Sequence, residues 1–186
     1  MSTLTRPAPP RTDLADAPPA RLPVEPLLPD DAIFDAAAVR ADLDEAFRHE
    51  TDPRARRAAT VARVSAARKA GNAALEAAFR DRPSAARAFV AAQARLTDGL
   101  VRTALEVAIT YLHPLPNPTA AERLAVLAVG GYGRAEMAPH SDVDLLFLTP
   151  WKVTPWAESV IESTLYILWD LRLKVGHASR TVGDCL

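Results

Sequence analysis

The sequence predicts an α+β protein, with a helical region over residues 30–118 followed by a small mixed sheet over residues 119–186. Three observations carry that reading. From Asp30 to about Leu112, apolar residues recur at helical intervals in an alanine-rich background. His113-Pro114-Leu115-Pro116-Asn117-Pro118 then breaks any helix, because proline lacks the N–H a helix needs and restricts its neighbour. Beyond Leu124, two short apolar runs closed by glycine or proline replace the helical pattern, as strands do.

Taken in order, residues 1–29 hold eight of the chain's 16 prolines and few large apolar side chains. Such a segment buries too little surface to offset its ordering entropy and is expected to be a disordered or extended tail. Asp30 or Asp31 can cap a first helix carrying Ile33, Ala37, Leu43 and Phe47. Pro53 suits the first turn of a second, with a stripe of Val61, Val64, Leu75 and Phe79 that Gly71-Asn72 should weaken or bend. Pro83 opens a third, with Phe89, Leu96, Leu100, Leu105, Val107 and Ile109 on or near its buried face.

Leu124–Val129 is a continuous apolar run, as expected of a strand buried on both faces, and Val143–Leu148 is another. Thr154 or Pro155 starts a helix through Ile161, Leu165, Leu168 and Trp169, and Leu171–Thr181 reads as a last strand containing Gly176.

Composition narrows the class. A net charge of −1 gives no field for nucleic acid or an anionic membrane. The six basic residues of Arg54–Lys69 have no aromatics among them, so a solvated helix face is the favoured reading over a nucleic-acid stripe. Neither a secretory leader nor an apolar run of about 18 residues is present, and Cys185 is the one cysteine. A soluble, cytoplasmic protein without a nucleic-acid or membrane partner is the expectation.

The chemistry concentrates between the two apolar runs. Along a strand side chains alternate, so Asp142 and Asp144 should share a face while Val143, Leu145 and Phe147 point into the core. Paired carboxylates repel unless a cation lies between them, and oxygen-only ligation suits Mg2+ with substrate phosphates. Gly130, Gly131 and Gly133 follow directly on a strand, where a backbone without β-carbons can turn and offer N–H groups to phosphate oxygens. Neither the dinucleotide fingerprint nor a Walker lysine accompanies them. Ser141 can give a hydroxyl to a phosphate or merely start the strand; Arg134 can neutralise phosphate or pair with Glu136.

Leu127–Leu148, LAVGGYGRAEMAPHSDVDLLFL, resembles the signature of the polymerase-β-like nucleotidyltransferase superfamily. Its form, with YILWDLRLKVGHASRT at Tyr166–Thr181, is similar to the protein-PII uridylyltransferase family of bacterial nitrogen sensing. The resemblance implies a nucleotidyltransferase core in which Gly130 and Gly131 hold the nucleotide and Asp142 and Asp144 bind Mg2+. It implies transfer of UMP from UTP to a tyrosine of the PII signal protein, with release of pyrophosphate. The alternatives are another nucleotidyltransferase with a different nucleotide or acceptor, and a non-catalytic interaction module.

Two departures accompany it. Ala135 stands where the family usually has glycine, a mild change unless that position needs positive φ. The family's hydrolase and glutamine-sensing domains are not in this chain: none of its four histidines precedes an aspartate, so an N-terminal fragment with an incomplete core is expected. The superfamily's third carboxylate is assigned to neither Asp170 nor Asp184. His177 is read as a hydrogen-bonded structural histidine rather than a group near the nucleotide, and Trp151, Trp156 and Trp169 as packing residues.

Overall fold

The computed structural model describes residues 25–186. Most of the proline-rich segment lies outside the described residues. Its end is packed: Leu27 is buried, and its carbonyl accepts from the Arg82 guanidinium at 2.6 Å.

The expected first helix is two. A single turn, α1 (Asp30–Ile33), ends at Phe34, and Asp35 then caps α2 (Ala36–Phe47) by accepting from the Ala38 amide. The break turns both Ile33 and Phe34 inward, while Ala37 faces solvent. Next comes α3 (Pro53–Asp81), capped by Asp52 with Pro53 in its first turn. Gly71 does not bend it into two helices. A β-carbon there would collide with the Ile33 carbonyl, so this glycine is where α1 lies directly on the α3 backbone. Gly99 plays the same part in α4 (Ala86–Val107), where the Phe34 ring occupies the space of its missing side chain.

Helix α4 is the axis of the fold. It packs against α1, α2, α3 and, further on, the helix Pro155–Asp170. Its last turn widens into a π-helical segment, Ala108–Leu112, ended by the His113 amide donating to the Ala108 carbonyl. The basic run on α3 is solvated in part: Arg54 and Lys69 are exposed, while other members are engaged by the fold. Arg56 donates to the Glu50 and Tyr111 carbonyls and lies over the Phe47 and Tyr111 rings, Arg57 pairs with Asp170, and Arg68 donates to the Leu171 carbonyl.

The sheet has the order β1-β2-β3. β1 (Ala125–Ala128) and β2 (Val143–Thr149) are antiparallel, with Ala128 opposite Leu145. β3 (Val175–Thr181) is parallel to β2, with Asp144 opposite Gly176. Parallel strands need a long crossover, and α6 (Pro155–Asp170) supplies it, capped by Thr154. The last strand is therefore shorter than expected, because Leu171 still belongs to the end of α6.

Burial on both faces is not found. In β2, Val143, Leu145, Phe147 and Thr149 are buried, and the residues between them are half-buried. β1 and β3 are largely exposed. The sheet has one core face, against α4 and α6, and one open face. No helix is long and apolar enough, among the described residues, to cross a membrane.

Candidate active site

The site is built where β1 ends and β2 begins. The Val129 amide donates to the Asp144 carbonyl at 3.0 Å, so the glycine turn after β1 is fastened to the strand carrying the acid. Gly130–Gly133 form one helical turn, α5, entered at Gly130 with φ 60°. That φ favours glycine, and so does the space: a β-carbon at Gly130 would lie 2.8 Å from Oδ2 of Asp144. Across the sheet, a β-carbon at Gly176 would lie 2.6 Å from Oδ1 of the same carboxylate. The Asp144 carboxylate thus sits between two glycines, on the open face of the sheet. Gly176 was missed as a site residue. The signal was present in the sequence, a glycine inside a strand, which marks close approach by another group.

The other predicted site residues divide. Gly131 lies in the same turn as Gly130, and the opening amides of such a turn have no carbonyl partner within it. Gly133 faces the scaffold instead, since a β-carbon there would be 2.5 Å from the Ala128 carbonyl oxygen. Asp142 is exposed and precedes the first residue of β2, so the pleat of that strand does not set its direction. Arg134 donates to Glu136 at 2.9 Å, one of its two expected roles. Ser141 is half-buried, and its amide donates to the Ala138 carbonyl. It lines a cavity against α3 and α4 that neither aspartate and none of the three glycines joins.

Tyr132, which carried no assignment, anchors the turn. It is 5% exposed, and its hydroxyl donates to Asp98 of α4 at 2.7 Å. Burial, then the Asp98 hydrogen bond, push its pKa well above the ordinary tyrosine value. At the end of α5 the Ala135 amide donates to the Tyr132 carbonyl and the Glu136 amide to the Gly131 carbonyl, the paired bonds of a Schellman motif. Ala135 occupies its left-handed position, with φ 55°. The substitution for glycine is therefore at a position that does need positive φ.

Among the described residues no group of three or more His, Cys, Asp or Glu is placed to hold a metal ion. The donors at the turn are carboxylate oxygens only. That chemistry fits a hard cation such as Mg2+, which takes one or two carboxylates and fills its remaining positions with water and phosphate. Asp170 and Asp184 are engaged elsewhere: Asp170 ends α6 and pairs with Arg57, and Asp184 accepts from the Thr181 amide and hydroxyl. His177, expected to be a hydrogen-bonded structural histidine, is exposed with its ring edge-on to Trp169. Of the tryptophans only Trp156 is packed as expected, donating to the His113 carbonyl; Trp151 is 60% exposed and Trp169 42%.

Comparison with known proteins follows this geometry. No protein-family model matches the chain, and no solved structure matches it. Curated proteins do. The chain is 63% identical over 164 residues to a bifunctional uridylyltransferase/uridylyl-removing enzyme of Cereibacter sphaeroides, covering 86% of this chain and 17% of that protein. It is 60% identical over 154 residues to the protein of that name in Ruegeria pomeroyi, and 42% identical over 155 residues to that of Rhodospirillum rubrum. Each match covers 83% of this chain and 17% of the relative, so the chain spans about a sixth of the length of these proteins. With a glycine turn fastened to an acidic strand at its centre, and identity of this order over most of its residues, the chain belongs to the bifunctional uridylyltransferase/uridylyl-removing enzyme family.

Proposed function

We propose that this region carries the nucleotide-holding part of a uridylyltransferase, moving UMP from UTP to a tyrosine of the PII signal protein in the cytoplasm. The observation that supports it most is the seating of Asp144 between Gly130 and Gly176, beside the opening amides of α5. The amides of Gly130 and Gly131 bind phosphate oxygens, as backbone donors at a tight turn do. Asp144 and Asp142 would hold Mg2+. When bound, that ion neutralises phosphate charge and polarises the phosphorus under attack. The tyrosine oxygen forms a bond to the α-phosphorus, the bond to the bridging oxygen of the β-phosphate breaks, and the hydroxyl proton leaves with pyrophosphate as the other product. Asp144 is half-buried and fixed by its strand, so the phosphates are positioned before reaction rather than at the moment of it.

Isothermal titration with Mg–UTP tests the reading. The parent chain should bind and Asp144→Asn should lose on the order of tenfold or more in affinity. Equal metal-dependent binding by both would favour a non-catalytic module. In an assay with PII, pyrophosphate release with ATP but not UTP would favour another nucleotidyltransferase.

A further inference from the structure

A second site lies behind the sheet. The loop from Met137 to Val143 arches over the seam between α3 and α4 and encloses a cavity of about 390 Å3. That is within the range of small-ligand pockets, roughly 300–1,000 Å3. It is on the side of Val143, the core face of β2, and Asp144 does not line it.

The lining has a polarity. On α3, Arg68, Asn72 and Glu76 follow one another at four-residue spacing, which puts them on one helix face. Leu96, Leu100 and Met137 supply an apolar wall, all three buried. Arg68 is half-buried and, among the described residues, has no carboxylate within ion-pair distance; its guanidinium donates to the Leu171 carbonyl at 2.5 Å. A guanidinium has five N–H donors in a planar fork, and one carbonyl satisfies a small part of them. Burial lowers its pKa, as it does for a cation short of counter-charge. Glu76 is already paired with Arg80 on the same helix.

We infer that this cavity binds a small organic carboxylate with a short hydrocarbon body, its carboxylate on Arg68 and Asn72 and its body against Leu96, Leu100 and Met137. The charge arithmetic selects a monoanion. One unpaired guanidinium matches one carboxylate in bidentate geometry, whereas a phosphate dianion would face the same single cation with Glu76 two turns away. The apolar wall selects against inorganic anions, which gain nothing from it. The site stands independently of the transfer reaction, although its roof is the loop that runs into Asp142.

The chain has two methionines, Met1 and Met137, so methyl-labelled methionine gives two NMR peaks, assigned by Met137→Leu. The probe is 3-methylbutanoate, titrated into the 186-residue chain beside its uncharged isostere 3-methylbutanamide and inorganic phosphate. The Met137 methyl should shift saturably with the acid, need about tenfold more amide for the same shift, and stay unmoved by phosphate, the discrimination expected of one charge-assisted contact. Arg68→Gln should weaken the acid by a similar factor and leave the amide unchanged. Acid and amide titrating alike, phosphate producing the shift, or no shift at all would each overturn the site. Should Arg68→Gln fail to fold, the comparison of acid with amide in the parent chain decides alone.

Discussion

The helical half and the sheet half of this molecule are built to opposite standards of burial. On α4, Ala92, Leu96, Leu100, Ala104 and Val107 are each 2% exposed or less, and two glycines are spent on letting Ile33 and Phe34 approach α3 and α4. On the sheet, β2 alone is buried along one face, and β1 and β3 lie largely open. Yet Asp144 and Gly176 are on the sheet, and Gly130 opens the turn that follows β1. The closest packing is in the helical half, and the proposed site sits on surface that the fold leaves largely open.

Unfolding in urea should separate the halves most sharply. Leu100→Ala removes a side chain 1% exposed and should cost about 2–5 kcal/mol, the loss of transfer energy plus the cavity left behind. Leu127→Ala, at a position 40% exposed on the open face, should cost under about 1 kcal/mol. Similar losses at the two positions would break the comparison, since they would mean that the open face is covered in solution.

Gly176→Ala sharpens it in the other direction. The new methyl would stand 2.6 Å from Oδ1 of Asp144, so the carboxylate must swing away. On an exposed strand the change in stability should stay within about 1 kcal/mol, while Mg–UTP affinity should fall on the order of tenfold or more. Calorimetric titration alongside urea unfolding reads both. Unchanged affinity would remove Asp144 from the binding surface.

Much of this division was legible in the residues, for reasons that differ by element. Pro53, and Thr154 with Pro155, placed the starts of α3 and α6 because these signals are local, whereas neither Asp30 nor Asp31 caps the first helix, which follows Pro29 without a side-chain cap. The Val143–Leu148 run located the strand that carries Asp144, and alternation holds along it, but Asp142 precedes the strand and is outside that alternation. Contacts between distant segments were not legible. Nothing within α3 says that Gly71 receives the Ile33 carbonyl, and nothing near Arg56 or Arg68 says which carbonyls they reach. The apolar run of β1 was misread as doubly buried because periodicity reports hydrophobicity, not what is available to cover it.

Tyr132 is one of several ties between the halves, beside Arg57–Asp170, Arg68–Leu171 and Trp156–His113, and cutting it should have a smaller effect. Tyr132→Phe deletes the hydrogen bond to Asp98 and should cost about 1 kcal/mol near neutral pH. Its pH dependence is more telling. In the unfolded chain a tyrosine ionises near pH 10, whereas in the fold burial and Asp98 hold Tyr132 protonated above that. The unfolded state therefore loses its proton first, and stability should fall as pH rises beyond about 10. Tyr132→Phe should reduce that fall in urea midpoints measured between pH 9 and about 11, the remainder coming from Tyr111, whose hydrogen bond to Asp44 also raises its pKa. An unaltered alkaline slope would place its origin in other tyrosines.

The smallest expected change is a gain. Ala135, with φ 55°, and Arg172, with φ 60°, both occupy the left-handed position of a Schellman motif, one closing α5 and the other α6. A non-glycine residue there costs about 1–2 kcal/mol, against which glycine's extra freedom in the unfolded chain takes back roughly 0.5–1 kcal/mol. Ala135→Gly and Arg172→Gly should each stabilise the chain by about 0.5–1 kcal/mol, because the two helix ends share one backbone geometry. Their consequences for binding should differ. The α5 end adjoins the glycines beside Asp144, so Ala135→Gly eases the turn that presents the amides, and Mg–UTP affinity should hold or rise. Arg172 lies beyond α6, where its replacement should leave affinity unchanged. If Ala135→Gly stabilises the chain but weakens the nucleotide, the strain at Ala135 is part of how the turn is held open. The sheet half would then be storing a cost in its backbone that the helical half, with its glycines placed where packing demands them, does not carry.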